Sequence, residues 1–259
     1  MNDLLERLLA KSSAVYALSI YLPVSRSLRK LRGVGRAARG IPDGTSHRGN
    51  LPAASWREAV ASRPIYLAER HRAHGNVRSS ELAVIAKAAA CVVPGQEIIE
   101  IGTFDGRTAL NLAVNSPATT RVFTLDLPAK TEMKFTPMKS ERRFIDKPES
   151  GARFRGYDGR WRACRSRITQ LHGDSARFDW SPHYGKAGLV FVDGSHAYDY
   201  AMHDSDEAFR LVAKGGMIIW HDYQVWNGVT RALDELELTR RLGLRGIRGT
   251  SLVFWRAAG

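Results

Sequence analysis

The chain has 259 residues, 44% hydrophobic and 25% charged, with a formal net charge of +13. That length and apolar content suffice for one sizeable α/β core and exclude a disordered or collagen-like chain. Two cysteines, Cys91 and Cys164, stand far apart without C-x-x-C spacing. They exclude a disulfide scaffold and a structural zinc cluster, and they point to a reducing, cytoplasmic compartment.

The charge is concentrated in two segments. Residues 1–50 hold nine Lys/Arg against three acids, and residues 127–167 hold twelve against five, which together account for the whole net +13. The basicity therefore belongs to two appendages rather than to the scaffold. An anionic partner stays open (nucleic acid, a membrane surface or an acidic acceptor), beside the plain reading of a solvated surface.

In chain order, Leu4, Leu5, Leu8 and Leu9 have helical spacing and lead into an apolar stretch from Ala14 to Val24. Pro23 breaks that stretch, which is shorter than the roughly 20 residues a membrane span needs. The start is not basic and no A-x-A site follows, so no secretory signal is expected. A basic run comes next: Arg26, Arg29, Lys30, Arg32, Arg36 and Arg39. An apolar helix with a cationic tail suits an anionic membrane, a second subunit in a homo-oligomer, or the protein's own core, and the last is the preferred reading. Gly40-Ile-Pro-Asp-Gly44 reads as a linker, so residues 1–50 form a basic helical extension and residues 51–259 one domain. Trp56 to His74 and Ser79 to Val92 read as helices. His71 and His74 form an i, i+3 pair with no acid to complete a metal site and are read as surface residues.

The most informative stretch is Glu97-Ile-Ile-Glu-Ile-Gly-Thr-Phe-Asp-Gly-Arg-Thr-Ala-Leu-Asn-Leu-Ala113. An apolar run too short for a helix meets a glycine turn and then a helical pattern, the layout of a nucleotide-cofactor loop. A dinucleotide fingerprint requires G-x-G-x-x-G, and no glycine stands two residues after Gly102. The acid ahead of the turn, Glu100, suits an amine-bearing, cationic ligand such as S-adenosylmethionine (SAM) better than a phosphate.

A second strand, Arg121 to Asp126, ends in an acid twenty residues beyond Gly106, where nucleotide-binding domains place a ribose-binding carboxylate. The insertion Leu127–Arg167 carries Lys147-Pro-Glu-Ser-Gly151 and Phe154-Arg-Gly-Tyr-Asp-Gly-Arg-Trp161. It is read foremost as a lid over a bound cofactor and next as a partly disordered loop; Phe154, Tyr157 and Trp161 among arginines leave base stacking open. A third strand, Arg167 to His172, leads into Gly173-Asp174-Ser175, which suits an adenine contact or an Asx-type turn.

The fourth strand, in Ala187-Gly-Leu-Val-Phe-Val-Asp-Gly-Ser-His-Ala-Tyr-Asp-Tyr200, is a continuous apolar run with Asp193 and His196 just past its end. A helix from Asp199 to Val212 stops at Lys214-Gly215-Gly216. The fifth strand, Met217-Ile-Ile-Trp-His-Asp222, ends on His221 and Asp222. If the two strands are neighbours about 4.8 Å apart, Asp193 and Asp222 can share a small cation at the carboxyl edge of the sheet. A helix from Val229 to Leu242 and strands Leu244–Ile247 and Ser251–Trp255 form an antiparallel tail.

Taken together, Glu100-Ile-Gly-Thr-Phe-Asp-Gly106, Gly173-Asp-Ser175, Phe191-Val-Asp-Gly-Ser-His-Ala-Tyr198 and Trp220-His-Asp-Tyr223 resemble a class I SAM-dependent methyltransferase. More narrowly, they resemble the group of macrolide-sugar and antibiotic-tailoring O-methyltransferases, over residues 80–257. The resemblance implies a Rossmann-like, doubly wound sheet of seven mostly parallel strands with an antiparallel last strand, behind the N-terminal helical extension. It implies SAM held by Glu100, Gly102, Thr103, Phe104, Asp105, Gly106, Thr108, Asp126, Asp174, Ser175 and Asp193. It implies catalysis by Asp193 and by His196 as base, with Mg²⁺ on Asp193, His221 and Asp222. His221 departs from that pattern, because a carboxylate is more usual beside a hard cation, and a substrate contact or second base stays open for it. The implied activity is O-methylation of a small hydroxylated acceptor such as a sugar. RNA methylation and a non-catalytic SAM-binding role remain as alternatives, nucleic acid being the less favoured partner.

Overall fold

The computed structural model describes residues 3–22, 49–73, 75–145 and 149–259. The basic run from Arg26 to Arg39, the Gly40–Gly44 linker, His74 and Lys147 lie outside the described residues.

Eight strands form one sheet: β1 (Ala53–Ala54), β2 (Glu97–Ile101), β3 (Val122–Asp126), β4 (Ile168–His172), β5 (Ala187–Val192), β6 (Val212–Trp220), β7 (Arg245–Ile247) and β8 (Val253–Arg256). Their order is β1-β7-β8-β6-β5-β2-β3-β4. β8 runs antiparallel to β6 and β7, and the other neighbours pair in parallel. The doubly wound sheet with an antiparallel tail is as the sequence indicates. The eighth strand is an addition: Ala53 and Ala54 pair with Gly246 and Ile247 at the edge, too short a segment to register as a strand pattern.

The main helices are α1 (Asp3–Tyr16), α2 (Ser79–Ala89), α3 (Arg107–Asn115), α4 (Tyr198–Leu211) and α5 (Asn227–Arg240). Strand alternation sorts the apolar side chains between two cores. Ile98, Val122, Leu189, Phe191 and Ile219 face α2 and α3, and Ala14, Ala17 and Leu18 join them. Ile99, Ile101, Val190, Val192 and Ile218 face α4 and α5. Each central strand is covered on both sides, which explains its unbroken apolar run.

Two expectations change. The helix expected over Trp56–His74 is a single turn, Trp56–Ala59, capped by Ser55 and Glu58; Pro64 lacks the amide a continuing helix requires there. The following irregular segment is held instead by Arg107, whose buried guanidinium donates to the carbonyls of Glu69 (2.7 Å) and Val77 (3.0 Å). The insertion, expected as a glycine-rich loop, contains short helical turns at Lys139–Glu141, Arg142–Ile145, Ala152–Gly156 and Arg162–Arg167. Phe154 and Tyr157 are buried against Ala68, Ala109 and Leu110, and Trp161 packs on Tyr66 at 5.5 Å. Phe154 and Tyr157 are thus core residues and present no platform for nucleic-acid bases.

The chain reverses its direction across the sheet between β2 and β5, and Gly102 sits at that point with φ +101°. A Cβ there would stand 2.0 Å from the Asp193 carbonyl oxygen. Both the backbone angle and the space demand glycine. Gly102→Ala is expected to cost roughly 2–4 kcal/mol, read as a lower urea midpoint with an unchanged m-value.

Candidate active site

A cavity of about 400 Å³ opens at the carboxyl edge of the strands, at the switch point where ligands of such sheets bind. It brings together Gly102 and Phe104 after β2, Asp126 at the end of β3, Asp174 and Ser175 after β4, Asp193 and His196 after β5, and His221 and Asp222 after β6. The insertion supplies a wall through Glu141, Phe144 and Ile145. Arg78, Glu81 and Trp226 complete the ionic side.

The other residues expected at the cofactor do not line this cavity. Glu100 stands inside β2, two residues after Ile98, so its side chain enters the α2/α3 side of the sheet and is fully buried. It ends a polar chain: Gln170 donates to Thr103 (2.9 Å), Thr103 and Thr124 hydroxyls meet at 2.6 Å, and Thr124 donates to Glu100. Burial pushes the Glu100 carboxyl well above its ordinary range. Thr103 is spent in that chain, and Thr108 is buried in α3. Asp105 accepts from the Arg107 amide (3.0 Å) and pairs with Arg153 (3.3 Å). At Gly106, φ is +88° and a Cβ would meet Phe154 of the insertion at 2.5 Å. The polar side chains of this loop and Gly106 are engaged in its own packing, while Gly102 and Phe104 line the cavity. Phe104 takes φ +51°, and its amide donates to Asp126 at 2.8 Å.

The ionic side is a chain of alternating acids and bases. Glu81, buried on α2, accepts from the Ser251 amide (2.8 Å) and hydroxyl (2.9 Å) and pairs with Arg78. Its other oxygen lies 3.3 Å from His221 Nε2. His221 Nδ1 is 2.8 Å from Asp193 and 3.4 Å from Asp222. Asp222 in turn lies 2.8 Å from His196 Nε2, and His196 Nδ1 lies 2.6 Å from Glu141. Glu141 also accepts from the Ser195 hydroxyl (3.1 Å) and the Met138 amide (2.7 Å). The His196 ring stacks on Trp226 at 4.4 Å and 8°, which fixes its plane. Asp222 takes φ +65°, a left-handed conformation that the ionic contacts hold in place.

Burial opposes charge throughout this cluster, and the partners decide the outcome. For Glu81, His221 and Arg78 overcome burial and hold the carboxyl well below its ordinary range. Asp222 is likewise lowered against burial by His221 and His196. Burial prevails at Asp193, whose pKa is raised. His221 is raised well above its usual value by Asp193, Asp222 and Glu81 despite burial. Hydrogen bonds to Asp222 and Glu141 overcome burial at His196 and raise it to about 9.

The metal expectation fits these contacts poorly. Both His221 nitrogens face carboxylates, so its ring stands as a cation between the two aspartates, where Mg²⁺ was expected. One ligand atom each from Asp193, His196 and Asp222 does fall within 4.8 Å of the others. That set, however, mixes an imidazole with two carboxylates that are already paired, a donor set less suited to a hard cation that takes oxygen ligands.

Glu81, Arg78, Glu141 and Trp226 were not anticipated. Glu81 had a local signal, since it stands three residues into a helix start and receives the Arg78 amide at 2.9 Å; Glu141 lay in a segment read for its basicity.

Residues 99–223 match the family model described as a methyltransferase domain. The O-methyltransferase NovP is 17% identical, with a TM-score of 0.53 over 69% of this chain and 80% of its own. A protein from Corynebacterium glutamicum is 16% identical, with a TM-score of 0.50 over 89% of this chain and 98% of its own. No curated protein sequence matches the chain.

Glu81→Gln is expected to destabilise the protein by roughly 3–5 kcal/mol at pH 7, because it strips a buried cation of its counter-charge. The lowered pKa of Glu81 means its contribution is present above the ordinary carboxylate range and is lost as pH falls through the folded value. The gap between wild type and variant in urea denaturation should accordingly narrow toward acid pH.

Proposed function

We propose that this class I SAM-dependent methyltransferase carries a methyl group to a hydroxyl oxygen of a small acceptor, a sugar or glycosylated metabolite being the class its sequence resemblance names. The observation that carries the reading is His196: an imidazole stacked on Trp226 and gripped by Glu141, with Nε2 beside Asp222 at the cavity wall. That is a proton acceptor whose orientation is fixed before any ligand arrives.

SAM, when bound, supplies an electrophilic methyl on a sulfonium sulfur. Gly102, Phe104, Asp126, Asp174 and Ser175, which all line the cavity, are the residues that would hold it. Phe104 offers an aromatic side chain at the cavity wall to a flat ligand. Asp126 still faces the cavity although it accepts the Phe104 and Leu127 amides, so the turn and the ligand-facing carboxylate are set together.

The acceptor hydroxyl takes Asp222's place at His196 Nε2. Held there, the hydroxyl would give its proton to His196 while its oxygen takes up the methyl that bound SAM would supply. Glu141, on Nδ1, would stabilise the imidazolium that results. Trp226 and Phe144 shield the ring from water, Phe144 by an edge contact at 6.4 Å. The reading routes no step through a metal, because His221 already places a positive charge between Asp193 and Asp222.

Incubation with labelled SAM and a panel of sugar nucleotides and glycosylated aromatics, followed by mass spectrometry, tests the reading. A product bearing the methyl on carbon-bound oxygen supports it, and exclusive transfer to nitrogen overturns it. His196→Ala should lower kcat at least about 100-fold without weakening SAM binding measured by calorimetry, whereas Asp126→Ala should weaken that binding. His196 serves as base only when neutral. With its pKa at about 9, kcat/KM of the chelated enzyme should climb with pH and level off only near that value. EDTA should leave turnover within about twofold; a tenfold loss restored by Mg²⁺ would return the cation to the mechanism.

A further inference from the structure

The two segments that carry the net charge meet in the structure. Glu6 of α1 accepts from the Tyr157 hydroxyl (2.9 Å) and the Arg160 amide (3.0 Å) of the insertion. Arg7 donates to the Tyr66 hydroxyl at 3.1 Å, and Tyr66 packs on Trp161 of the insertion. An N-terminal helix and a segment 150 residues later thus share one region of the surface.

α1 and the turn after it are apolar on two sides. Ala10, Ala14, Ala17, Leu18 and Leu22 are buried, so the helix does pack on the protein's own core, as expected. The side turned away from the core shows Leu4 at 62% exposure, Leu8 at 55% and Val15 at 57%, with Leu5, Tyr16, Ile20 and Tyr21 beside them. Seven of the ten large apolar side chains exposed among the described residues fall in this one segment. A soluble surface scatters such residues singly, and a cluster of them marks a surface that is covered by something.

We infer that this face docks on the surface of an anionic lipid bilayer. Cations accompany the apolar side chains: Arg7 and Lys11 are exposed on α1, and Arg162 and Arg165 are exposed on the adjoining insertion. The chain that leaves Leu22 carries six more Lys/Arg by residue 39. Apolar side chains entering the headgroup boundary, with basic groups around them, are the physical form of an interfacial helix. No helix among the described residues is long and apolar enough to cross a membrane, so the contact is peripheral. A second copy is the poorer occupant, because pairing through this face would bring like-charged segments of two chains together. Nucleic acid would answer the charge and leave the leucines unexplained.

Flotation with vesicles of phosphatidylcholine and phosphatidylglycerol (7:3), against pure phosphatidylcholine, tests the inference on the full chain. Binding should be at least tenfold stronger to the anionic vesicles and should weaken in 500 mM salt. Leu4→Ser/Leu8→Ser/Val15→Ser should lower it at least tenfold with an unchanged melting temperature, since all three side chains are exposed. Should the triple variant melt early, Leu8→Glu alone serves the same comparison. Absence of binding to anionic vesicles, equal binding by a folded variant, or an apolar-face dimer in light scattering that the variant abolishes without any vesicle binding would each overturn the inference. The test reads no methyl transfer, so its result stands apart from that of the proposed chemistry.

Discussion

The contact on which the rest of the site depends is the one between Glu81 and His221. Glu81 comes from a helix that precedes the first central strand, His221 from the end of β6, and both are buried. Neither charge is tolerable there alone, since an unpaired buried ion is worth several kcal/mol of penalty. Each therefore fixes the other's position, and their remaining contacts extend the constraint. Arg78 and Ser251 complete the shell of Glu81; Asp193 and Asp222 complete that of His221. Asp222 then sets His196, and His196 sets Glu141. Segments from a helix, two strand ends and an insertion are locked into one geometry by the requirement that buried charges be paired.

That constraint works because the sheet delivers the strand ends in register. Val192 pairs with Trp220, so the next residues, Asp193 and His221, emerge side by side. On the other flank, Ile101 pairs with Val192, and Gly102 must yield to the Asp193 carbonyl. The glycine turn and the ionic cluster are consequently two sides of one crevice. A substitution that displaced the turn would move the carboxylate as well.

The parts of the site legible in the sequence are those that follow an apolar strand. Asp126, Asp193, His221 and Asp222 line one cavity because a buried parallel strand ends at the same edge as its neighbours, and its first polar residue marks that edge. Glu100 shows the limit of the approach. Read as the acid ahead of the turn and a ligand contact, it sits within the strand, where alternation sends its side chain to the helix side; Ile98 and Ile101, on opposite faces, already carry that information. Glu141 and Trp226 carry no such local sign. Their roles depend on where an insertion and a helix start come to rest against His196, which is tertiary information. The Trp56–His74 helix failed for a local reason, Pro64, that the periodicity masked.

His221 gives the site its particular character. Where two carboxylates converge, something positive must balance them, and a strand-end imidazole does so here with its far nitrogen on a buried acid. An imidazolium differs from a divalent metal in two respects: it carries one charge rather than two, and it offers the acceptor oxygen no coordination position. In the proposed reaction the hydroxyl is therefore activated by His196 and its own pair of carboxylates. The cluster holds four carboxyl groups, Glu81, Asp193, Asp222 and Glu141, against the three nitrogen cations of Arg78, His221 and His196. Asp193 shares its one cation, His221, with Asp222 and Glu81, and it is the group that burial pushes upward. A site with one carboxyl in excess at the cavity wall favours a positively charged ligand, because such a ligand lets that last acid ionise without leaving it unpaired.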